Sequence, residues 1–243
     1  MEKSETVKRF YTACSAVSAG LQWQVRLDVR PVRTQGAQPQ LVPSHTLAEA
    51  LVGEWAAQGE QIDPAGFPLR DLADYAIDIV QPDPGQVADD LLRFAETDTL
   101  CYRADSDQAL GIRQRDMWEP LILAAEARLG VRFIRLAGVI HRPQPSETLA
   151  ALRAEMLQLD AFELAALHTL ASLAASLIVG HAALDPAADA PALFAASNLE
   201  EDWQAELWGK DEAATVLRAR RLEGFCEAAR FVHLARDRGT NSK

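Results

Sequence analysis

The sequence is short of the residues from which most active sites are built. Its three cysteines, Cys14, Cys101 and Cys226, are scattered over 243 residues with no CxxC pair. Neither a zinc knuckle nor a disulfide framework is written in that spacing, and the thiols read as reduced ones in a reducing compartment. The five histidines, His45, His141, His168, His181 and His233, never recur at i, i+3 or i+4, so no metal site is visible. A phosphate-cradling loop is missing too: Gly209-Lys210-Asp211 has no upstream glycine and no Ser or Thr after its lysine. No GxSxG elbow occurs. Positive charge is scarce, with 24 Lys and Arg against 35 Asp and Glu. The net charge of −11 argues against nucleic acid and anionic membranes, which need a basic face. The nearest approach to a long apolar run is Phe162–Leu184, broken by His168, Thr169, Ser172, Ser176, Gly180 and His181. A buried core helix suits it better than a membrane span. Met1 to Glu5 carries neither an apolar signal core nor an Arg-rich presequence.

What the chain has is length and helical pattern. A chain of 243 residues can bury about three quarters of its unfolded surface and needs no metal to fold. The expected class is α+β: a small N-terminal antiparallel-sheet domain with covering helices (residues 1–105), then an all-α bundle (residues 106–243). Strands are predicted over Phe10–Ala16, Gln22–Leu27, Arg30–Thr34 and Gln40–Val42, with Trp23, Val25 and Leu27 on one face. Asp28-Val29 is the tight turn, and valine is unusual where such turns favour glycine. Helices are predicted over Ser44–Gln58, Leu69–Val80 and from Asp83-Pro84, where Gln86 can complete a capping box. Thr97–Ala104 reads as extended, and 108–129 as a helix broken or kinked at Pro120 and ended by Gly130. A strand over Val131–Gly138 and an extended linker at His141–Pro145 follow. Beyond Ser146 all is helical. Asp160 with Glu163 caps an alanine- and leucine-rich helix running to about Gly180, apolar nearly all round and so the bundle centre. Asp211 caps a last helix with its stripe at Leu222, Phe225, Cys226, Ala229 and Val232.

The stretch with most character is Asn198–Gly209. As the last turns of a helix it aligns Leu199, Trp203 and Leu207 as a core-facing stripe. Glu200 and Gln204 lie on the edge of that stripe, Glu201 and Trp208 on the solvent side. A half-covered Glu200 calls for a partner, and Arg218, Arg220 and Arg221 on the next helix are available. Cys101 with Asp98 nearby is the one nucleophile-like pair, but no histidine lies close in sequence. Glu200 and Glu201, as neighbours on a helix, point about 100° apart, poor geometry for acid/base work. The enzyme alternative therefore rests on an interdomain cleft using Glu200, His141 or Cys101.

Seven short motifs in order give the chain a resemblance. They are Lys8-Arg9-Phe10-Tyr11; Val25 through Leu27-Asp28 into Arg30-Pro31-Val32-Arg33-Thr34; Glu54-Trp55 with Gln58-Gly59-Glu60; Ile62-Asp63-Pro64 with Pro68-Leu69; Asp98 to Ala104; Trp118-Glu119-Pro120; and Asp202-Trp203-Gln204 with Trp208-Gly209. Together they resemble the α-subunit assembly chaperones of the F-type ATP synthase over nearly the full length. Val29 departs from the pattern, where the family's hairpin usually has glycine. The resemblance implies a non-enzymatic protein with no cofactor. Such a protein binds the unassembled α subunit, masks the surface α presents to β, and promotes assembly of the catalytic head. It implies a cytoplasmic place in bacteria and a matrix one in mitochondria, with no nucleic acid and no membrane insertion. An acidic residue of the C-terminal signature is needed in that family, and Glu200 and Glu201 match its place. With Gln204 and the exposed Trp208 they form the expected partner-binding set.

Overall fold

The computed structural model describes residues 7–138, 142–209 and 211–237; His141, and with it the start of the expected linker, lies outside them. Four short strands open the fold: β1 (Cys14–Ala19), β2 (Gln22–Leu27), β3 (Arg30–Pro31) and β4 (Leu41–Val42). All pairs are antiparallel. β1 lies along one side of β2, while β3 and β4 share the other side. The first strand begins at Cys14 instead of Phe10, and β3 stops at Pro31, although Val32 N still donates to Val25 O at 2.9 Å. Asp28 explains why Val29 is tolerated. Leu27 pairs with Arg30, so the turn has two residues, and of these only Asp28 has positive φ (54°). The left-handed position thus falls on the first central residue, as in a type II′ turn, and not on valine. Aspartate accepts that backbone more readily than a branched residue. Its Oδ1 also takes hydrogen bonds from Thr12 N, Thr12 Oγ1 and Ala13 N.

Helix α1 (His45–Ala56) covers the sheet, burying Leu47, Leu51 and Trp55 as their spacing predicts, with Ser44 Oγ accepting from Leu47 N at 3.0 Å. The expected helix at 69–80 is instead α2 (Pro68–Tyr75) followed by a π-helical turn over Ala76–Val80. Asp74 and Asp78 there both bind the loop after β3. Gln40 Nε2 donates to Asp74 at 2.6 Å, and Thr34 Oγ1 and Gly36 N donate to Asp78, each at 2.7 Å. Widened turns of this kind occur mostly as single insertions in otherwise regular helices.

No side chain of its own caps α2. Glu54 of α1 does so, accepting from Leu69 N at 2.6 Å and Arg70 N at 2.9 Å. Burial outweighs those bonds and pushes its carboxyl up to about 7. A carboxyl raised above its unfolded value makes the native state hold a proton that the unfolded chain has lost. Its contribution is therefore favourable below neutrality and declines as pH rises from about 4.5 through about 7. In chemical denaturation from pH 5.5 to 7.5, wild type should lose stability relative to Glu54→Gln. Parallel curves for the two proteins would contradict this.

Helix α3 (Pro84–Glu96) carries only half the expected capping box. Asp83 accepts from Gln86 N, but Gln86 Nε2 turns to Asp90 at 3.0 Å. The segment 97–104 is a 3-10 turn capped by Asp98, then β5 (Tyr102–Arg103). Helix α4 (Ala109–Leu129) passes through Pro120 without a break and ends at Gly130, φ 68°. Trp118 and Ile122, fully buried on either side of the proline, hold it in register. The strand expected over 131–138 shrinks to β6 (Leu136–Ala137), which pairs in parallel with β5. Side chains serve the backbone upstream instead: Phe133 N donates to Glu126 and Ile134 N to Gln144, both at 2.8 Å.

The helical part comprises α5 (Ser146–Met156), α6 (Ala161–Ala174), α7 (Leu177–Ala182), α8 (Ala190–Ser197), α9 (Leu199–Trp208) and α10 (Glu212–Arg236). The Asp160–Glu163 capping box is present, and α6 is buried on most of its surface. It stops at Ala174 and not near Gly180, because Ala175 takes φ 48°. Gly180 then lets α7 cross α6 closely; a Cβ there would lie 2.8 Å from Ala171 N. One hydrophobic core runs from Val25 and Leu27 of the sheet through Trp55 to Phe225 and Phe231 of α10. The start of α1 and the end of α10 meet on it, where Ser44 Oγ donates to Leu234 O and Thr46 Oγ1 to Asp237 Oδ2. Among the described residues no helix is long and apolar enough to cross a membrane.

Candidate functional site

The acidic helix expected at 198–209 is separate from the one before it. Asn198, buried, ends α8 with φ −104° and ψ 19°. Its Nδ2 donates to Phe194 O at 2.8 Å and Ser197 Oγ at 3.0 Å, so the side chain holds the break. Glu200, Glu201 and Asp202 then fill the first turn of α9, where the positive end of the helix dipole favours them.

The core-facing stripe needs correction. Leu199 is buried, Trp203 is half-buried, and Leu207 is 58% exposed. Helix α9 meets the start of α4 at Trp203 and Glu206, and Leu207 beside them points into solvent. Trp208 is on the solvent side as expected, 78% exposed. Arg113 of α4 braces the helix, with Nη1 and Nη2 donating to Glu206 at 2.7 and 3.0 Å and its guanidinium 5.7 Å from the Trp203 ring centre.

The carboxylates reach three different partners. Glu200 accepts from Gln114 Nε2 at 2.6 Å, while Gln114 Oε1 accepts from Ala104 N at 2.8 Å. The partner foreseen for Glu200 was an arginine of the last helix; the arginines pair with its neighbours instead. Arg221 Nη1 meets Glu201 at 3.3 Å and Arg218 Nη2 meets Asp202 at 2.6 Å. Asp202, further along α9, thus meets the earlier residue of α10, as for helices that run in opposite senses. Arg221 also donates to Leu173 O at 2.9 Å, and Arg218 and Arg221 each lie 5.7 Å from the Phe194 ring centre.

Glu200 is exposed, not half-covered as expected, like Glu201, Gln204 and Trp208 on the same short helix; its carboxylate differs in being anchored on the buried Gln114. Sequence reasoning placed Leu207 in the core and Asp202 only in a motif, and it did not single out Glu206, nor Val216 (49% exposed) and Leu217 (59%) in the first turns of α10. It also missed an open groove of about 410 Å³ where Ile112 and Met117 of α4 meet Trp203. Exposure of an apolar residue on a polar helix was the available signal.

Of the residues of the enzyme alternative, His141 lies outside the described residues, and Glu200 is bonded to Gln114 and not to Cys101. Cys101 is fully buried, and burial drives its thiol well above the ordinary range, so the thiolate a nucleophile needs is disfavoured. His181 sits 3.1 Å from both Arg128 Nη1 and Glu155 Oε2, with burial lowering it to about 4. His168 packs on Tyr75 with ring centres 5.2 Å apart. Among the described residues no three His, Cys, Asp or Glu side chains could hold a metal ion.

Comparison with known proteins agrees with this architecture. The family described as ATP12 chaperone protein matches residues 8–126. "Protein atp12, mitochondrial" of Schizosaccharomyces pombe is 28% identical over 202 residues, spanning 78% of this chain and 69% of that protein. The crystal structure of Atp12 from Paracoccus denitrificans is 42% identical, with a TM-score of 0.88 over 94% of this chain and 98% of that one. A mutant of the same protein with aspartate replaced by lysine aligns equally well. A putative chaperone of Agrobacterium tumefaciens, Atu1473, is 38% identical, with a TM-score of 0.88 over 93% of this chain and 85% of that one.

Proposed function

The chain belongs to the ATP12 chaperone family, and on that premise we propose that it is an assembly chaperone for the F-type ATP synthase, holding the free α subunit. In this reading the protein covers the surface that α later gives to β and does no bond-making of its own. Its work is done in the bacterial cytoplasm or the mitochondrial matrix. The observation that carries the reading is the tip of α9, where Leu207 and Trp208 stand in solvent beside Glu201 and Glu206. A helix that buries only its first residue contributes little to the fold, and an exposed tryptophan with an acidic rim is what an interface anchor looks like. Glu201, Gln204 and Trp208 are the contact residues. Glu200 sets the helix in place through Gln114, and the charged rim selects the client and speeds encounter.

Co-expression of the tagged chain with the α subunit tests this. The expected result is a soluble complex with free α and none with the assembled α/β hexamer. A chain that leaves α behind, or binds the finished hexamer equally well, is not this chaperone.

A further inference from the structure

The sheet has an edge that the function above leaves unused. Asp28 N donates to Ala13 O at 2.8 Å, marking residues 13 and 28 as a hydrogen-bonded pair. Antiparallel pairs alternate, so with the register Ser15↔Arg26, Val17↔Gln24 and Ala19↔Gln22 these residues bond to β2. The N–H and C=O groups of Cys14, Ala16 and Ser18 then point away from β2. Among the described residues no partner meets them. Edge strands are commonly blunted by charge, proline or a bulge. The β1 sequence, Cys-Ser-Ala-Val-Ser-Ala, has none of these.

The surroundings suit an extended polypeptide. Phe10 (56% exposed, its ring against Tyr11) precedes the strand and Leu21 (99%) follows it, so an exposed apolar side chain stands at each end. Charge is also reversed relative to the rest of the molecule. Residues 7–42 hold five basic residues (Lys8, Arg9, Arg26, Arg30 and Arg33) against one acidic residue, Asp28, in a chain of net −11. Arg26 is exposed, makes no ion pair among the described residues, and stands on β2 directly across from Ser15.

We propose that the free edge of β1 binds an extended, acid-bearing segment of the α subunit as an added strand, with Arg26 reading its carboxylate across Ser15. This rests on the α-subunit reading and specifies a second contact for it, at the sheet. Backbone pairing supplies the adhesion, and the side chains at Phe10, Leu21 and Arg26 supply the register.

Ala16→Pro is the test. The Ala16 N–H points outward, so proline removes nothing from the β1–β2 ladder, and an outward edge position is one where a strand accepts it. Binding of purified full-length chain to α subunit is measured for wild type, Ala16→Pro and Arg26→Glu, with thermal midpoints and amide hydrogen exchange alongside. The expected result is at least tenfold weaker binding by Ala16→Pro at an unchanged midpoint. In the wild-type complex, the Cys14, Ala16 and Ser18 amides should also gain protection. If Ala16→Pro folds poorly, Arg26→Glu decides: weaker binding at low salt supports the strand, and equal binding removes it. Wild-type affinity in both variants overturns the edge contact and leaves the chaperone reading standing. No binding by wild type overturns both. A wild-type dimer that Ala16→Pro turns into monomer gives the edge to a second copy and overturns the proposal.

Discussion

Trp208→Ala is expected to weaken capture of the α subunit about thirtyfold, the roughly 2 kcal/mol of an interface hot spot. The thermal midpoint should not move, because a side chain 78% exposed takes little packing with it. The acidic neighbours separate in the same experiment. Glu201→Lys breaks only an exposed pair with Arg221 at 3.3 Å, worth about 0–1 kcal/mol to the fold. It should lower capture and leave the midpoint alone. Glu200→Lys sets a cation against the Gln114 amide, which donates to Glu200 at 2.6 Å from a fully buried residue. That orphaned donor costs about 1–3 kcal/mol, so stability and capture should fall together. Quantitative pull-down with calorimetry on all three variants is the check. Trp208→Ala binding like wild type would take the tip of α9 out of the interface.

A larger loss of stability is expected at Trp118. Its ring is fully buried in α4, and its Nε1 donates to Ala196 O at 2.7 Å near the end of α8. Trp118→Ala should cost about 3–5 kcal/mol by cavity formation, with about 1–3 kcal/mol more if Ala196 O is left unpaired. Trp118→Phe keeps most of the ring and loses the N–H, so it isolates the second contribution. Because that bond fixes the end of α8, just before the Asn198 break, Trp118→Phe should also reduce α capture more than its stability loss explains. Urea titration and pull-down on the two variants measure this. A Trp118→Ala midpoint within error of wild type would mean the site collapses around the gap.

The elements read correctly from sequence are those whose signals are local. Ser44, Asp160 with Glu163, Asp211 and Gly130 all cap where their residue types say they should, because a cap is decided within one turn of chain. The breaks at Ala175 and Asn198 have no such signal. Ala175 takes a left-handed backbone that alanine does not favour, and what holds it lies far away in sequence: Thr99 N and Oγ1 both donate to its carbonyl. The π turn after Tyr75 likewise answers to a loop forty residues earlier, through Asp74 and Asp78. At the candidate site, the exposure of Trp208 followed from helical geometry. That of Leu207 did not, since a helical wheel cannot say where α4 meets α9. The partner of Glu200 was missed for the same reason: Gln114 lies 86 positions away in sequence, and nothing near Glu200 announces it.

The joining of Ser44 to Leu234, across 190 positions of sequence, bears on how the molecule is made. At about 5–20 residues per second of synthesis, the ribosome delivers Leu234 roughly 10–40 s after Ser44. For that interval the cap of α1 lacks its acceptor, and the apolar underside that α1 shares with α10 awaits its last helix. A member of a chaperone family thus itself passes through an incomplete nascent state, and a stalled or truncated message should yield a product that proteases clear.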